Sequence, residues 1–466
     1  MTTKSQKSRR DFIKKAVGTA FLSGVAPAIL KAQPHNIIEL EHKPIASKYS
    51  PNDQINIAVI GMGIMGFSNL ETTVKVPGTK LVGVCDLYNG RLDHAKELYG
   101  NDIFTTKNYK EILDRKDVDA VFIATSDHWH DHISIDAMNK GKHVYCEKPM
   151  VHKLEEGAEV ITTQKKTGKV FQVGSQRVSS IATEKAKQLY ESGVIGELIL
   201  VETFNDRHSG NGAWQYSIPT DASPATVDWD NFLGDAPKVA FDPVRFFRWR
   251  NYQDYGTGIA GDLFVHLFSG VHTVLSSKGP NRIYASGGLR YWKDGRDTPD
   301  IITSIHDYPA TDKHPAFNLQ MRVNFADGGG GGELLRLVGT DGVITMGWDF
   351  VKVQRNKTSK APGYGGWDSF NTFTQAQQKE YESWYKAHYP VGKPEMVEPE
   401  TEYHTPKGYS ANLDHHMNFY AGIREGKTIK EDALFSMRAA GPALATNKSY
   451  FEKKVINWDA ENARVI

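Results

Sequence analysis

One short stretch constrains this chain more than any other. Ile55 to Ile60 is an unbroken apolar run that leads directly into Gly61-Met62-Gly63-Ile64-Met65-Gly66. A second apolar run, Leu81 to Cys85, ends in Asp86, 20 residues beyond Gly66. A G-x-G-x-x-G pattern alone is weak. Placed between a strand and a helix, with an acid at the end of the next strand, it describes a turn that cradles a pyrophosphate. Gly61 permits the tight turn, Gly63 lets the backbone approach the ligand, and Gly66 allows close helix–strand packing. Ile64 and Met65 open the helix, whose first N–H groups face the phosphates. Asp86 is placed to accept hydrogen bonds from ribose hydroxyls and to repel a 2′-phosphate, which favours NAD over NADP; Arg91, five residues on, works against that preference.

Further apolar runs follow at Ala120–Ala124, His143–Cys146 and Lys169–Val173, separated by helical patterns such as Arg91–Tyr99 and Ile133–Met138. Near-continuous apolar strands alternating with helices predict a parallel sheet buried on both faces, a Rossmann domain over residues 55–175. Two polar motifs fall at the carboxyl ends of its strands, where such sheets bind ligands: Thr125-Ser126-Asp127-His128-Trp129-His130 and Cys146-Glu147-Lys148-Pro149. The tight turn at Lys148–Pro149 is expected to carry a cis bond.

On these motifs the sequence resembles the Gfo/Idh/MocA family (glucose–fructose oxidoreductase, inositol dehydrogenase and relatives). Glu147-Lys148-Pro149 matches the family's E-K-P motif, and Thr125 to His130 resembles its T-P-x-x-x-H loop with Ser126 in place of proline. Gln172-Val173-Gly174-Ser175-Gln176-Arg177, Arg248-Trp249-Arg250 and Tyr255-Gly256-Thr257-Gly258 continue the match. The resemblance implies an α/β fold, with the Rossmann domain followed over residues 176–466 by an α/β domain built on a large open, mostly antiparallel sheet. It further implies Thr125, His130, Glu147, Lys148 and Gln176 beside the cofactor, and Arg177, Arg248 and Trp249 beside a substrate. Similarity to the family's D-x-x-x-H pair implies a catalytic Lys148–Asp262–His266 constellation. The family's further aspartate is Ser269 here, which alters the local hydrogen-bond network.

The chemistry is reasonable on its own terms. Asp262 and His266 are four apart in a helical stretch, so both lie on one face. Oxidising a sugar hydroxyl needs a base for its proton, and an imidazole with an ordinary pKa near 6.5 fits. The carboxylate would orient the ring, and Lys148 would stabilise charge on the reacting oxygen. Substrate contact is expected at Lys148, Asp262 and His266 as well. His272 reads as structural. His128, His130 and His132 alternate, but positions two apart on a helix do not face each other and no fourth ligand follows, so no metal is expected.

The remaining features bound the setting. Lys+Arg 56 against Asp+Glu 55 gives a net charge of +1, without the basic face a nucleic acid requires. Residues 1–32 hold seven of those cations and one acid, so the rest of the chain is acidic. That segment pairs Arg9-Arg10 with Phe12-Ile13-Lys14, an apolar stretch and Ala26-Pro27-Ala28. It resembles a twin-arginine signal peptide, and implies the export machinery as a partner and a periplasmic or otherwise exported protein. No stretch is long enough for a stable membrane span in the mature form. Residues 33–54 carry Pro34, Pro44 and Pro51 and read as a linker or arm. Two cysteines, Cys85 and Cys146, exclude a disulfide framework.

Strands are expected at Leu198–Phe204, Arg282–Tyr291, Ile301–Asp307, Phe317–Phe325 and Glu333–Met346, with one sheet face on the Rossmann domain and the other exposed or used in a homodimer or homotetramer. Residues 411–425 and 431–447 read as helices. The leading functional expectation is an exported NAD-dependent oxidoreductase acting on a sugar or glycoside with a tightly held cofactor. Two alternatives stand beside it: an NAD-dependent glycosidase working through transient C3 oxidation, and a non-catalytic sugar- or cofactor-binding protein.

Overall fold

A computed structural model describes residues 35–44, 53–356, 360–389 and 399–466. The export segment and residues 33–34 and 45–52 of the arm lie outside the described residues. Within the arm, strand β1 (His35–Glu39) adds in parallel to the edge of the second sheet.

The first sheet contains β2 (Ile55–Ile60), β3 (Thr79–Cys85), β4 (Phe104–Thr106), β5 (Ala120–Ile123), β6 (His143–Cys146) and β7 (Phe171–Val173). Its order is β4-β3-β2-β5-β6-β7, every pairing parallel. Alternate residues of β2 feed two cores. Ala58 and Ile60 pack with Ile123, Val144 and Val173 on one face; Ile57 and Val59 pack with Leu70, Phe122 and Tyr145 on the other. Burial on both faces is why the strands read as continuous apolar runs. The winding reverses between β2 and β5, which opens a crevice above their carboxyl ends. Gly61 and Thr125 follow those two strands.

The second sheet has eleven strands. After β1 they are β8 (Leu198–Asp206), β9 (Arg282–Gly288), β10 (Ile301–Tyr308), β11 (Phe317–Asn324), β12 (Gly332–Gly339), β13 (Gly342–Met346), β14 (Phe350–Arg355), β15 (Glu400–His404), β16 (Ile456–Asp459) and β17 (Arg464–Val465). The order is β1-β15-β14-β13-β12-β8-β11-β10-β9-β16-β17, with only β1–β15 and β8–β11 parallel. The expected strand Glu333–Met346 is in fact the hairpin β12–β13, because Thr340-Asp341 turns the chain; Asp341 N bonds Ile195 O at 2.8 Å.

Burial alternates along β10 and β11, so one face is covered. Contrary to expectation, the Rossmann domain does not cover it. The helices Ile181–Glu191, Val265–Leu275 and Ala433–Glu452 do, through Ala186, Phe268, Ala440 and Ala443 against Leu319, Met321 and Leu335. The small alanine side chains let the helices approach the sheet closely. The helix Ala411–Glu425 crosses instead to the first domain, where Phe419 and Tyr420 join the β2 core and the Tyr420 hydroxyl meets Thr73 Oγ1 at 2.5 Å. Among the described residues, no helix is long and apolar enough to cross a membrane. Cys85 and Cys146 are buried free thiols.

Candidate active site

The glycine turn is built by close approach. Gly61 has φ +91°, and a Cβ there would lie 2.6 Å from the Ala124 carbonyl carbon, so backbone from β2 and β5 meets with no room for a side chain. A Cβ on Gly66 would fall 2.0 Å from Gly61 O. Gly63 is different: the nearest atoms to its Cβ position are those of the Arg91 guanidinium at 3.9 Å, across open space. The helix Ile64–Thr73 starts here with no side-chain cap and no acid in its first turn. Its N–H groups therefore face a cleft of about 470 Å³.

Asp86 is locked at the cleft edge. Its Oδ2 accepts from Met62 N at 2.7 Å and its Oδ1 from Tyr88 N at 2.9 Å. Arg91 lies 3.4 Å from Oδ2 and rests against Phe247 and Phe246, 5.3 and 5.7 Å from their ring centres. A fixed carboxylate with spare lone pairs, beside an uncapped helix start and a glycine open to the cleft, fits the ribose and pyrophosphate of a dinucleotide. Gly61, Gly63, Ile64, Met65, Asp86, Arg91 and Thr125 all line this cleft.

The second and third motifs interlock beneath it. The Lys148–Pro149 bond is cis, as expected. His130 Nδ1 lies 2.7 Å from Pro149 O and Nε2 lies 3.3 Å from Thr125 O. Burial lowers its pKa, so the neutral ring ties the loop to the turn with one N–H. Glu147 accepts from Asn69 Nδ2 at 2.9 Å, and burial raises its pKa. A Cβ on Gly174 would sit 2.8 Å from Glu147 Oε1, so that glycine admits the carboxylate.

Lys148 crosses to the second domain. Its Nζ donates to Asp262 Oδ1 at 2.8 Å and to Asp262 O at 3.0 Å. Arg250 Nε donates to the same Oδ1 at 3.2 Å, with its guanidinium 4.2 Å from the centre of the Trp249 ring. Asp262 belongs to a π turn, Ala260–Phe264, that runs into the helix Val265–Leu275. Burial works to raise its pKa, but Lys148 and Arg250 overcome this and hold the carboxyl below the usual range.

The expected hydrogen bond from this carboxylate to His266 is absent. Both Asp262 contacts go to cations, which attract the carboxylate more strongly than a neutral ring does. Among the described residues His266 Nδ1 is buried without a partner, and the ring stands edge-on to Trp348 at 6.2 Å. Burial, reinforced by Lys148, drives its pKa well below the ordinary imidazole value. His266 is therefore a neutral, unengaged base beside a lysine–carboxylate–arginine cluster.

The other expected residues divide. Trp249 lines the cleft. Gly66, His130, Glu147 and Lys148 are buried and are not among the residues that line it. Gln176 is buried and donates to Tyr145 OH at 3.4 Å. Arg177 is fully buried, ion-paired with Glu333 and 4.4 Å from the Trp348 ring centre; burial lowers its pKa to about 10. A Cβ on Gly270 would sit 2.8 Å from Arg177 Cδ. Arg248 donates to Tyr216 O at 2.8 Å. Ser269 donates to Glu431 Oε1 at 3.1 Å. His272 meets Tyr308 OH at 2.8 Å in the core, and His128 meets Phe232 O at 2.8 Å.

Tyr216 lines the cleft, as the sequence position of its loop suggests. Sequence reasoning missed Arg250 and Trp348 as site residues. Arg250 sits inside the Arg248-Trp249-Arg250 motif, so its signal was present; Trp348 lies in an irregular segment with no periodicity to mark it. Asp127, also missed, clamps the domains: its Oδ2 accepts from Thr257 N at 2.9 Å and Thr257 Oγ1 at 2.8 Å.

Comparison with known proteins agrees with this geometry. Residues 55–175 match the Gfo/Idh/MocA model, described as an oxidoreductase family with an NAD-binding Rossmann fold. The chain is 34% identical over 152 residues to the scyllo-inositol 2-dehydrogenase (NAD(+)) of Bacillus subtilis, covering 32% of this chain and 44% of that one. It is 30% identical over 213 residues to a glycosyl hydrolase family 109 protein of Shewanella baltica, covering 41% and 44%. The chain thus matches under half the length of these curated relatives. The scyllo-inositol dehydrogenase of Lactobacillus casei, solved with NAD(H) and scyllo-inositol, superposes with a TM-score of 0.58 at 18% identity, over 87% of this chain and 99% of that one. Residues 55–175 are an NAD-binding Rossmann domain of the oxidoreductase type. The two-domain architecture, with its large mixed sheet, is that of the solved structure.

Proposed function

We propose that this protein is an exported NAD-dependent oxidoreductase acting on a CH–OH group of a sugar, inositol or glycoside. The observation that carries the reading is the Lys148–Asp262 contact, which joins the nucleotide domain to the residues around His266. Gly61, Gly63, Asp86 and the start of the helix Ile64–Thr73 would hold the dinucleotide; when bound, its nicotinamide exchanges a hydride with the substrate carbon. His266, neutral and without a competing hydrogen bond, takes the hydroxyl proton during oxidation and returns it during reduction. Lys148, anchored by Asp262, donates to the reacting oxygen and stabilises its growing negative charge. The twin-arginine pattern supports export, and the partly exposed Ile199, Tyr284 and Ile305 on the uncovered sheet face support a homodimer or homotetramer.

The test has two stages. Denaturing the purified protein should release NAD or NADH, identified by mass. Polyols and sugars added to the loaded protein should then raise absorbance at the reduced-nicotinamide band; absence of nucleotide and of any such change would overturn the reading.

A second reading, the redox-assisted glycosidase, is favoured by one comparison. The match to the family 109 glycosyl hydrolase runs over 213 residues, against 152 for the inositol dehydrogenase. Tyr216, at the cleft, would supply the second acid–base group. Aglycone release without net NADH formation distinguishes it.

A further inference from the structure

The side chains around His266 carry more positive charge than the redox step uses. Lys148 and Arg250 share Asp262, and Arg177 is matched by Glu333. Two more arginines of the same wall, Arg207 and Arg248, have no carboxylate partner among the described residues. Arg207 Nη1 donates to Gly212 O at 3.0 Å and its Nε to Asn205 Oδ1 at 3.4 Å. Arg248 Nε donates to Tyr216 O at 2.8 Å and its Nη1 to Gln215 Oε1 at 2.5 Å. All four acceptors are neutral. They aim the guanidinium groups without cancelling their charge and leave Nη2 of each unused.

The contrast with the rest of the domain is direct. Arg282, Arg322 and Arg336, on the same sheet, each meet a carboxylate: Asp307, Asp206 and Glu202. Two carboxylates reached through the hydrogen-bond partners of Arg207 and Arg248 are already committed. Asp294, which Gln215 contacts, pairs with Arg296, and Glu333 accepts from Asn205 and Trp348 besides Arg177. Arg207 is joined to this site through Asn205, whose Nδ2 donates to the Glu333 carboxylate that also receives Trp348, the ring beside His266. Arg248 is tied to Tyr216, which lines the cleft with Trp249 and Arg250. Half-buried guanidinium groups held by neutral acceptors keep their planar forks ready for a second anion.

We propose that the substrate is an acidic carbohydrate, bearing a carboxylate or sulfate that Arg207 and Arg248 receive while a ring hydroxyl faces His266. The proposal rests on the oxidoreductase reading of the site. Trp348, 45% exposed and beside His266, offers an aromatic face for the sugar ring between the two ends.

The test uses the full-length, nucleotide-loaded protein and reads binding by tryptophan fluorescence, separately from turnover. The probes are galacturonate, galactose 6-sulfate and galactose. The expected result is that one or both acidic probes bind at least about tenfold more tightly than galactose, with a preference that shrinks as salt is raised from low to moderate ionic strength. Arg207→Gln and Arg248→Gln should each remove most of that preference; Arg248→Lys should restore part of it. Which acidic probe binds identifies the anion as carboxylate or sulfate. Equal binding of all three probes, tighter binding of galactose, or an acidic preference untouched by either glutamine variant overturns the proposal. Nicotinamide reduction is recorded in parallel. Reduction by galactose without acidic preference sinks the anion proposal alone; acidic preference without any reduction sinks the oxidoreductase reading alone.

Discussion

Lys148 and Asp262 come from different domains, yet the lysine Nζ contacts both the side chain and the main-chain carbonyl of the aspartate, at 2.8 and 3.0 Å. The same carboxylate oxygen receives Arg250. Removing it leaves two cations unmatched in a largely buried position. Asp262→Ala is expected to lower stability by about 3–5 kcal/mol, the range for breaking a buried pair from one side. Denaturant unfolding of the nucleotide-free protein measures this, and a loss below about 1 kcal/mol would show that the cluster is not structurally coupled.

His266 is expected to be the base whose loss stops turnover without emptying the cleft. His266→Ala should reduce kcat on the order of 10²–10⁴-fold, the usual contribution of a positioned acid–base group, with nucleotide retention unchanged. Because its pKa lies well below the ordinary imidazole value, the ring stays neutral through the neutral range. Turnover should consequently show no acid limb between pH 8 and 6. A limb centred near 6.5 would mean that the base sits in a far more solvated setting.

Gly61 and Gly63 should fail in different ways. Gly61→Ala forces a side chain into the Ala124 carbonyl at a positive φ, and should depress the thermal midpoint even without nucleotide. Gly63→Ala finds open space, so the empty protein should melt normally while its NAD affinity falls. Paired melting curves with and without NAD separate the two.

Asp86 decides between nucleotides. Replacing it with Ser removes the repulsion of a 2′-phosphate and frees Arg91 from its 3.4 Å contact. Since a hydrogen bond to a charged group contributes about 1.5–3 kcal/mol, NAD affinity should drop about tenfold or more and NADP binding should improve. Titrating both nucleotides into stripped protein checks the crossover.

Acid should destabilise the fold well above the carboxylate range. Burial lowers the pKa of His128, His306 and His416 to about 3, and that of His143 and His415 to about 4. Unfolded imidazoles titrate near 6.5, so between that pH and the folded values the unfolded chain binds protons the native one refuses. Stability is complete above about pH 6.5 and declines as pH falls toward 3. His416 packs against Phe122 and Tyr145 with neither ring nitrogen partnered. His416→Leu should raise the melting temperature at pH 5 more than at pH 8; an unchanged pH slope would assign the acid sensitivity elsewhere.

The Rossmann domain was legible because its signals are local: apolar strands, a glycine turn and an acid at fixed spacing. Lys148, Asp262 and His266 were legible as a set through a family resemblance. Their wiring was not, since the competition of Arg250 for Asp262 depends on where a distant loop folds back. The hairpin at Thr340-Asp341 was read as one strand because its turn contains no proline and its flanks share the same β-type residues. Of the helices that cover the large sheet, the one carrying His266 and the one over 431–447 were read from the sequence while Ile181–Glu191 was not, and their placement on the sheet comes from packing between distant segments.

The Asp127–Thr257 clamp has a mechanical corollary. It staples the floor of the interdomain groove from one side while Lys148 and Asp262 staple it from within. A hinge there would have to break buried, charge-assisted bonds, so molecules are expected to enter over the rim near Tyr109, Trp129 and Asn231. A dinucleotide seated on that floor would then be expected to stay with the protein while smaller molecules come and go above it.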